Sequence, residues 1–166
     1  MTSILVETAT AIAEALTANT FAYGDFTAEW DYEHRLEDAA LVAERLDVRV
    51  IVPRKIDEAI RFTRSEMRYT AGYDIDIRYK FGKASQGANS PDIDKEALAD
   101  LSTLVEDIHQ YFFDNPSLGD DTNLEWHASE SEIGVESKIL VAYSSKHLRQ
   151  ERMFYAICRE YFSKVR

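Results

Sequence analysis

The chain has 166 residues and a mass of 19.0 kDa, enough for one domain that buries about two-thirds of its unfolded surface without a metal or disulfide staple. Apolar residues make up 45% and aromatics 11%, which excludes a disordered chain. The balance of 19 bases to 30 acids, net −11, argues against a nucleic-acid reader with a basic footprint, while the lone Cys158 excludes an internal disulfide framework or a cysteine-rich zinc site.

Taken in chain order, Met1 to Glu7 lacks a basic segment and is expected not to be a signal peptide. No run approaches the length of apolar chain that spans a bilayer. Leu5, Ala9, Ile12, Ala13 and Leu16 form one stripe, predicting a helix from Ile4 to about Thr17 with Thr2 or Ser3 as its cap. From Phe26 the period becomes two. Phe26, Ala28, Trp30 and Tyr32 alternate with polar residues, as in a half-buried strand. Leu36 to Leu46 allows a short helix. Val48, Val50 and Val52 predict a strand that stops at Pro53, where the ladder loses a donor.

Ile56 to Tyr69 is ambiguous, matching strand and helix templates each in part. Gly72 then opens the clearest strand: Tyr73, Ile75, Ile77, Tyr79 and Phe81 share one face, and Asp74, Asp76, Arg78 and Lys80 a wet one. Gly82 to Asp92 reads as a loop. Leu98, Leu101, Val105, Ile108 and Phe112 predict a long helix capped by Asp92 or Asp94 and ended by Asn115-Pro116. His109 falls one step off that stripe and is expected to face solvent. Pro116 to Glu136 is acidic and turn-rich, anchored by Trp126 and Ile133. Ile139 to Tyr143 is a short strand, and Ser144 to Arg149 a single helical turn. Arg152 to Val165 carries aromatics on both faces, so this strand is either buried on both sides or paired with another subunit. The order predicts one α+β domain over residues 1–166. In it a mostly antiparallel sheet is covered on one face by an N-terminal helix and a long central helix.

Charge is unevenly spread. Asp114 to Glu136 holds seven acids and neither Lys nor Arg, whereas Lys138 to Arg166 and Arg54 to Lys83 are each net basic. Such patches either pair within one fold or meet on neighbouring copies, as a heterologous interface requires. Arg61, Arg64 and Arg68 are the candidate interface residues: either a solvated row, or an arm reaching an acidic neighbour.

Reactive constellations find little support. His34, His109, His127 and His147 show no metal-ligand spacing, and His127 near Glu125, Glu130 and Glu132 reads as a histidine in an acidic run. Pro91-Asp92 and Glu136-Ser137-Lys138 match the letters of a metal-dependent nuclease. Pro91-Asp92, however, sits where a helix cap belongs. Asp74 and Asp76 read as alternating charges on a wet strand face. Gly82-Lys83-Ala84-Ser85 lacks the upstream glycine of a phosphate loop. Cys158 reads as a small core residue. The period-two aromatics Trp30, Tyr32, Tyr73, Tyr79, Phe81, Tyr155, Tyr161 and Phe162 read as core more than as a base-stacking platform. None of these constellations makes a catalytic motif that settles what the chain does.

One succession of features resembles a known family. It runs from the first helix and aromatic strand through Asp47-Val48-Arg49-Val50-Ile51-Val52-Pro53, the segment with Arg61 and Arg64, and Tyr73-Asp74-Ile75-Asp76-Ile77. It continues through Leu101-Ser102-Thr103-Leu104-Val105-Glu106-Asp107-Ile108 and Tyr143-Ser144-Ser145-Lys146-His147-Leu148 to the final aromatic strand with Phe154 and Tyr161. The layout is similar to the tail-terminator and tail-completion proteins of tailed bacteriophages. That resemblance implies a virion protein of the tail or neck, assembled in the host cytoplasm, with neither catalytic residues nor a cofactor expected. Its copies would form a ring, typically a hexamer, on the head-proximal end of the tail tube. The ring would end tube polymerisation and meet neck or connector proteins, and DNA would pass through without specific binding. The neighbouring alternative is a head-completion adaptor between portal and tail. In other classes, the alternatives are a small metal-dependent nuclease and a cytoplasmic adaptor for one charged partner.

Overall fold

A computed structural model describes residues 3–34, 44–82, 94–118, 123–130, 134–143, 145–150 and 152–166. The possible helix at Leu36 to Leu46 and the loop at Gly82 to Asp92 lie mostly outside the described residues, as do Pro91-Asp92 and Ile133.

The first element is α1 (Ile4–Ala18), which buries Thr8, Ala9, Ile12, Ala13 and Leu16. Ser3 occupies its cap position, but its side chain makes no capping hydrogen bond. Strand β1 (Ala28–Asp31) follows, then β2 (Leu46–Ile51), β3 (Glu58–Arg61) and the long β4 (Met67–Lys80). Next comes α2 (Lys95–Asp114), whose buried face is Leu101, Leu104, Val105, Ile108 and Phe112. Asp94 caps it, accepting from the amides of Glu96 and Ala97. An Asp94→Ala change is expected to cost about 1 kcal/mol of unfolding free energy, which a urea titration resolves. The chain finishes with β5 (Leu124–His127), β6 (Ser129–Glu130), β7 (Val135–Glu136), β8 (Lys138–Val141), α3 (Ser145–Gln150) and β9 (Met153–Val165).

Among the described residues the main sheet has seven strands, built on β4 and β9, which pair antiparallel from Arg68–Val165 to Lys80–Met153. On the outer side of β4, β2 pairs with its second half and β3 with its first half. On the outer side of β9, β8 pairs with its middle and β5 with its end. Strand β1 joins β2 in parallel at the edge, and β6 and β7 form a separate two-stranded ribbon. The fold is α+β, with the sheet mostly antiparallel.

Alternation along the two central strands sets the layers. Tyr73, Ile75 and Ile77 of β4 and Phe154, Ala156, Cys158 and Phe162 of β9 are buried in one core with the apolar stripes of α1 and α2. The hydroxyl of Thr17 accepts the amide of Ala28 at 2.9 Å, tying the end of α1 to the start of β1. β9 carries aromatics on both faces because both are covered within the chain: Phe154 and Phe162 enter the core, and Tyr155 on the other face is 4% exposed and packs against His147 of α3, while both edges of the strand pair with strands of the same chain. Its pattern therefore needs no second subunit.

Two boundaries differ from the sequence expectation. Strand β4 begins at Met67, so Gly72 lies inside it; a Cβ there would sit 2.9 Å from the ring of Tyr161 on β9. The glycine makes room for that ring and does not break the strand. The alternation from Phe26 to Tyr32 shortens to β1, and Trp30 and Tyr32 remain 37% and 58% exposed because β1 is the edge strand.

Candidate functional site

The ambiguous stretch from Ile56 to Tyr69 is a β-hairpin. Strand β3 pairs with the start of β4, with Arg61 opposite Met67, and the amides of Phe62 and Thr63 both donate to the Glu66 carbonyl to close the turn. The hydroxyl of Thr63 accepts the Glu66 amide at 3.2 Å and donates to the Glu66 carboxylate at 2.9 Å, so the tip has a defined shape.

The hairpin separates the three candidate arginines. Arg61 and Arg64 are exposed at the tip, on either side of Phe62, which is 57% exposed. Arg68 lies within β4, opposite Ile60, and its guanidinium is 3.9 Å from Glu58. Directly paired residues share a face, so Arg61 and Arg68 point to opposite sides of the ribbon. The exposed tip is Arg61–Phe62–Arg64, and Arg68 is a partly buried strand residue. Phe62 had a legible signal: a large aromatic residue set between arginines where no period assigns it to a core.

The supposed wet face of β4 is buried. Asp74, Asp76 and Arg78 are 9%, 1% and 4% exposed. Cross-strand register explains how this is tolerated. Arg159 of β9 lies opposite Asp74 and grips both its oxygens at 2.6 and 2.7 Å. Asp47 of β2 lies opposite Arg78 and pairs with it, and Arg49 bridges Asp47 and Glu29. His34 reaches over the face, with Nδ1 2.9 Å from Asp76 and Nε2 3.3 Å from Asp74.

Burial pushes the Asp76 carboxyl up to about 6, with the charge and hydrogen bond of His34 opposing the shift. The folded chain thus holds this proton more tightly than the unfolded chain, and the contribution of Asp76 to stability falls as pH rises from about 4 to about 6. Asp76→Asn is expected to gain stability relative to wild type between pH 4 and pH 7, measured by urea midpoints. A gap independent of pH contradicts this assignment.

A second buried polar cluster lies on the helix side. Glu160 is fully buried on the core face of β9. His109 of α2 donates from Nδ1 to one carboxylate oxygen at 2.7 Å, and the Trp126 indole donates to the other at 2.8 Å. His109 is therefore turned toward the sheet, with 30% of its side chain exposed, and does not simply face solvent. Its hydrogen bond to Glu160 raises its pKa above the ordinary value. The signal was an acid in the apolar alternation Phe154, Ala156, Cys158, Phe162.

Described residues from the other reactive readings have structural partners, while Asp92, Glu132 and Lys83-Ala84-Ser85 lie outside the described residues. His127 bonds to the Ser163 hydroxyl at 2.7 Å. Ser137, between Glu136 and Lys138, donates to the His127 carbonyl and accepts the Tyr161 amide. Cys158 is fully buried against α2, and burial raises its thiol pKa. Among the described residues, no three His, Cys, Asp or Glu side chains gather as a metal site would require, and no helix is long and apolar enough to cross a membrane.

At the other end of the sheet, α1 and β1 frame an open groove of about 530 Å³. Ala13, Ala18, Ala28 and Trp30 make its apolar lining, and the exposed Glu14 stands at its margin, whereas the Glu29 side chain alternates to the other face of β1, where Arg49 holds it at 2.6 Å. Compared with known protein families and curated proteins, the sequence matches no family model and no curated relative.

Proposed function

We propose that this chain is a virion structural subunit of the tail-terminator type. Its copies form a ring, six in number on the family resemblance, at the head-proximal end of a phage tail tube. The ring stops tube growth and presents a surface to neck or connector proteins. The observation that carries this reading is the turn of the β3–β4 hairpin, with Arg61, Phe62 and Arg64 exposed at one end of the α+β sheet. A basic aromatic turn on a chain of net charge −11 suits contact with another acidic copy. The same negative charge suits a passage through which DNA slides without being held.

The test is tube assembly. Purified protein added to polymerising tail-tube subunits is expected to shorten the tubes and to cap one end, as seen by negative-stain microscopy. Tubes of unchanged length with bare ends contradict the reading.

A further inference from the structure

We infer that the hairpin tip of one copy seats in the α1–β1 groove of the next, with Phe62 entering the groove and the tip arginines Arg61 and Arg64 meeting Glu14 at its margin. The inference rests on the ring reading and names the contact that would build the ring.

Three observations carry it. The first is complementarity. The tip presents an aromatic ring between two cations, and the groove presents an apolar floor with the exposed carboxylate of Glu14 at its margin. Burial of Phe62 and of the Trp30 surface supplies the apolar gain, and the charges fix orientation and exclude like surfaces.

The second is position. Through β2, the groove residues Ala28 and Trp30 lie level with Ile77 and Ile75 of β4. The hairpin turn lies beyond Met67. Eight to ten strand residues intervene, about 30 Å at the rise of an extended chain. A tip cannot fold back into its own groove, so a groove that takes the tip belongs to a second copy.

The third is symmetry. The two surfaces differ and sit at opposite ends of one rigid sheet, so the contact is head-to-tail. Such contacts repeat and close into rings when the rotation per subunit allows. The groove also borders the outer edge of β1, where the aromatic side chains of Trp30 and Tyr32 pack edge-on at 5.4 Å and stay exposed. Open sheet edges of this kind favour pairing with another chain.

The experiment uses two variants of the full chain, each disabling one side. The tip variant is Arg61→Glu with Phe62→Ser and Arg64→Glu. The groove variant is Glu14→Arg with Trp30→Ser. Native mass spectrometry and sedimentation velocity are expected to show a closed oligomer for wild type and a monomer for each variant. Mixing the variants is expected to give a one-to-one dimer and nothing larger, because one intact tip and one intact groove remain. The single change Glu14→Arg, on an exposed helical position, guards against misfolding. It is expected to weaken wild-type assembly at least tenfold while leaving circular dichroism and melting unchanged.

Variants that still form rings overturn this contact and leave the ring reading standing, as does a mixture that stays monomeric. A wild-type chain that stays monomeric overturns the contact. Rings that depend on the contact but neither cap nor shorten tail tubes uphold it and overturn the functional reading alone.

Discussion

Glu160→Ala is expected to lower the unfolding free energy by about 3–5 kcal/mol, the range for removing one partner from a buried charged cluster, and the melting temperature by on the order of 10 °C. Glu160 is fully buried and accepts both the His109 imidazole and the Trp126 indole. Truncation leaves both donors facing an apolar core, where an unmet polar group is costly. Glu160→Gln keeps the shape; its carbonyl can still accept from Trp126, and its amide can donate to a neutral His109, so a smaller loss is expected. The pH dependence gives an independent readout. The His109 pKa is raised by its hydrogen bond to Glu160. Its stabilisation is therefore complete below the unfolded value near 6.5 and is lost as pH rises through the folded value. Denaturant midpoints between pH 6 and pH 9 should fall in wild type, and that slope should vanish in Glu160→Ala. A variant of wild-type stability with the same slope contradicts the cluster's role.

Phe162→Ala is expected to cost about 3–5 kcal/mol, whereas Phe62→Ala is expected to change monomer stability by less than about 0.5 kcal/mol. Phe162 is 1% exposed, with ring contacts to Phe112 of α2 at 5.3 Å and to Tyr73 of β4 at 6.0 Å, so it joins the long helix to both central strands. Phe112→Ala should be markedly non-additive with it, because the two rings share one contact. Phe62 sits on the hairpin turn with more than half its surface open. Thermal melts of the four variants separate a core ring from a surface ring. A destabilisation by Phe62→Ala comparable to that of Phe162→Ala would mean that the tip packs on its own chain.

These paired phenylalanines show how far periodicity reaches. The stripes of α1 and α2, the Val48–Val50 strand and the inward face Tyr73–Ile75–Ile77 were legible because each repeats the geometry of a single element. Sheet register was not legible. Asp74 and Arg159 are 85 residues apart, and only their alignment across β4 and β9 turns an apparently wet charged face into a buried one. Gly72 reads as the start of a strand until the Tyr161 ring from another strand is seen above it. The alternation through Trp30 and Tyr32 correctly marked a strand, but whether its apolar side is covered depends on the strand's rank in the sheet, and β1 is at the edge. At the candidate site, Arg61 and Arg64 stand where an arm would place them. Arg68 does not, because a hairpin alternates its faces and a count of arginines along the chain cannot show that.

The claim at the centre of this account is that the chain works by matching copies of itself into a closed ring. The most direct measurement is its mass and symmetry, by native mass spectrometry and class-averaged electron microscopy, over a concentration series with and without tail-tube ends. One discrete oligomer with rotational symmetry and a central opening is the predicted result. A monomer under every condition, or an open filament of unlimited length, contradicts it.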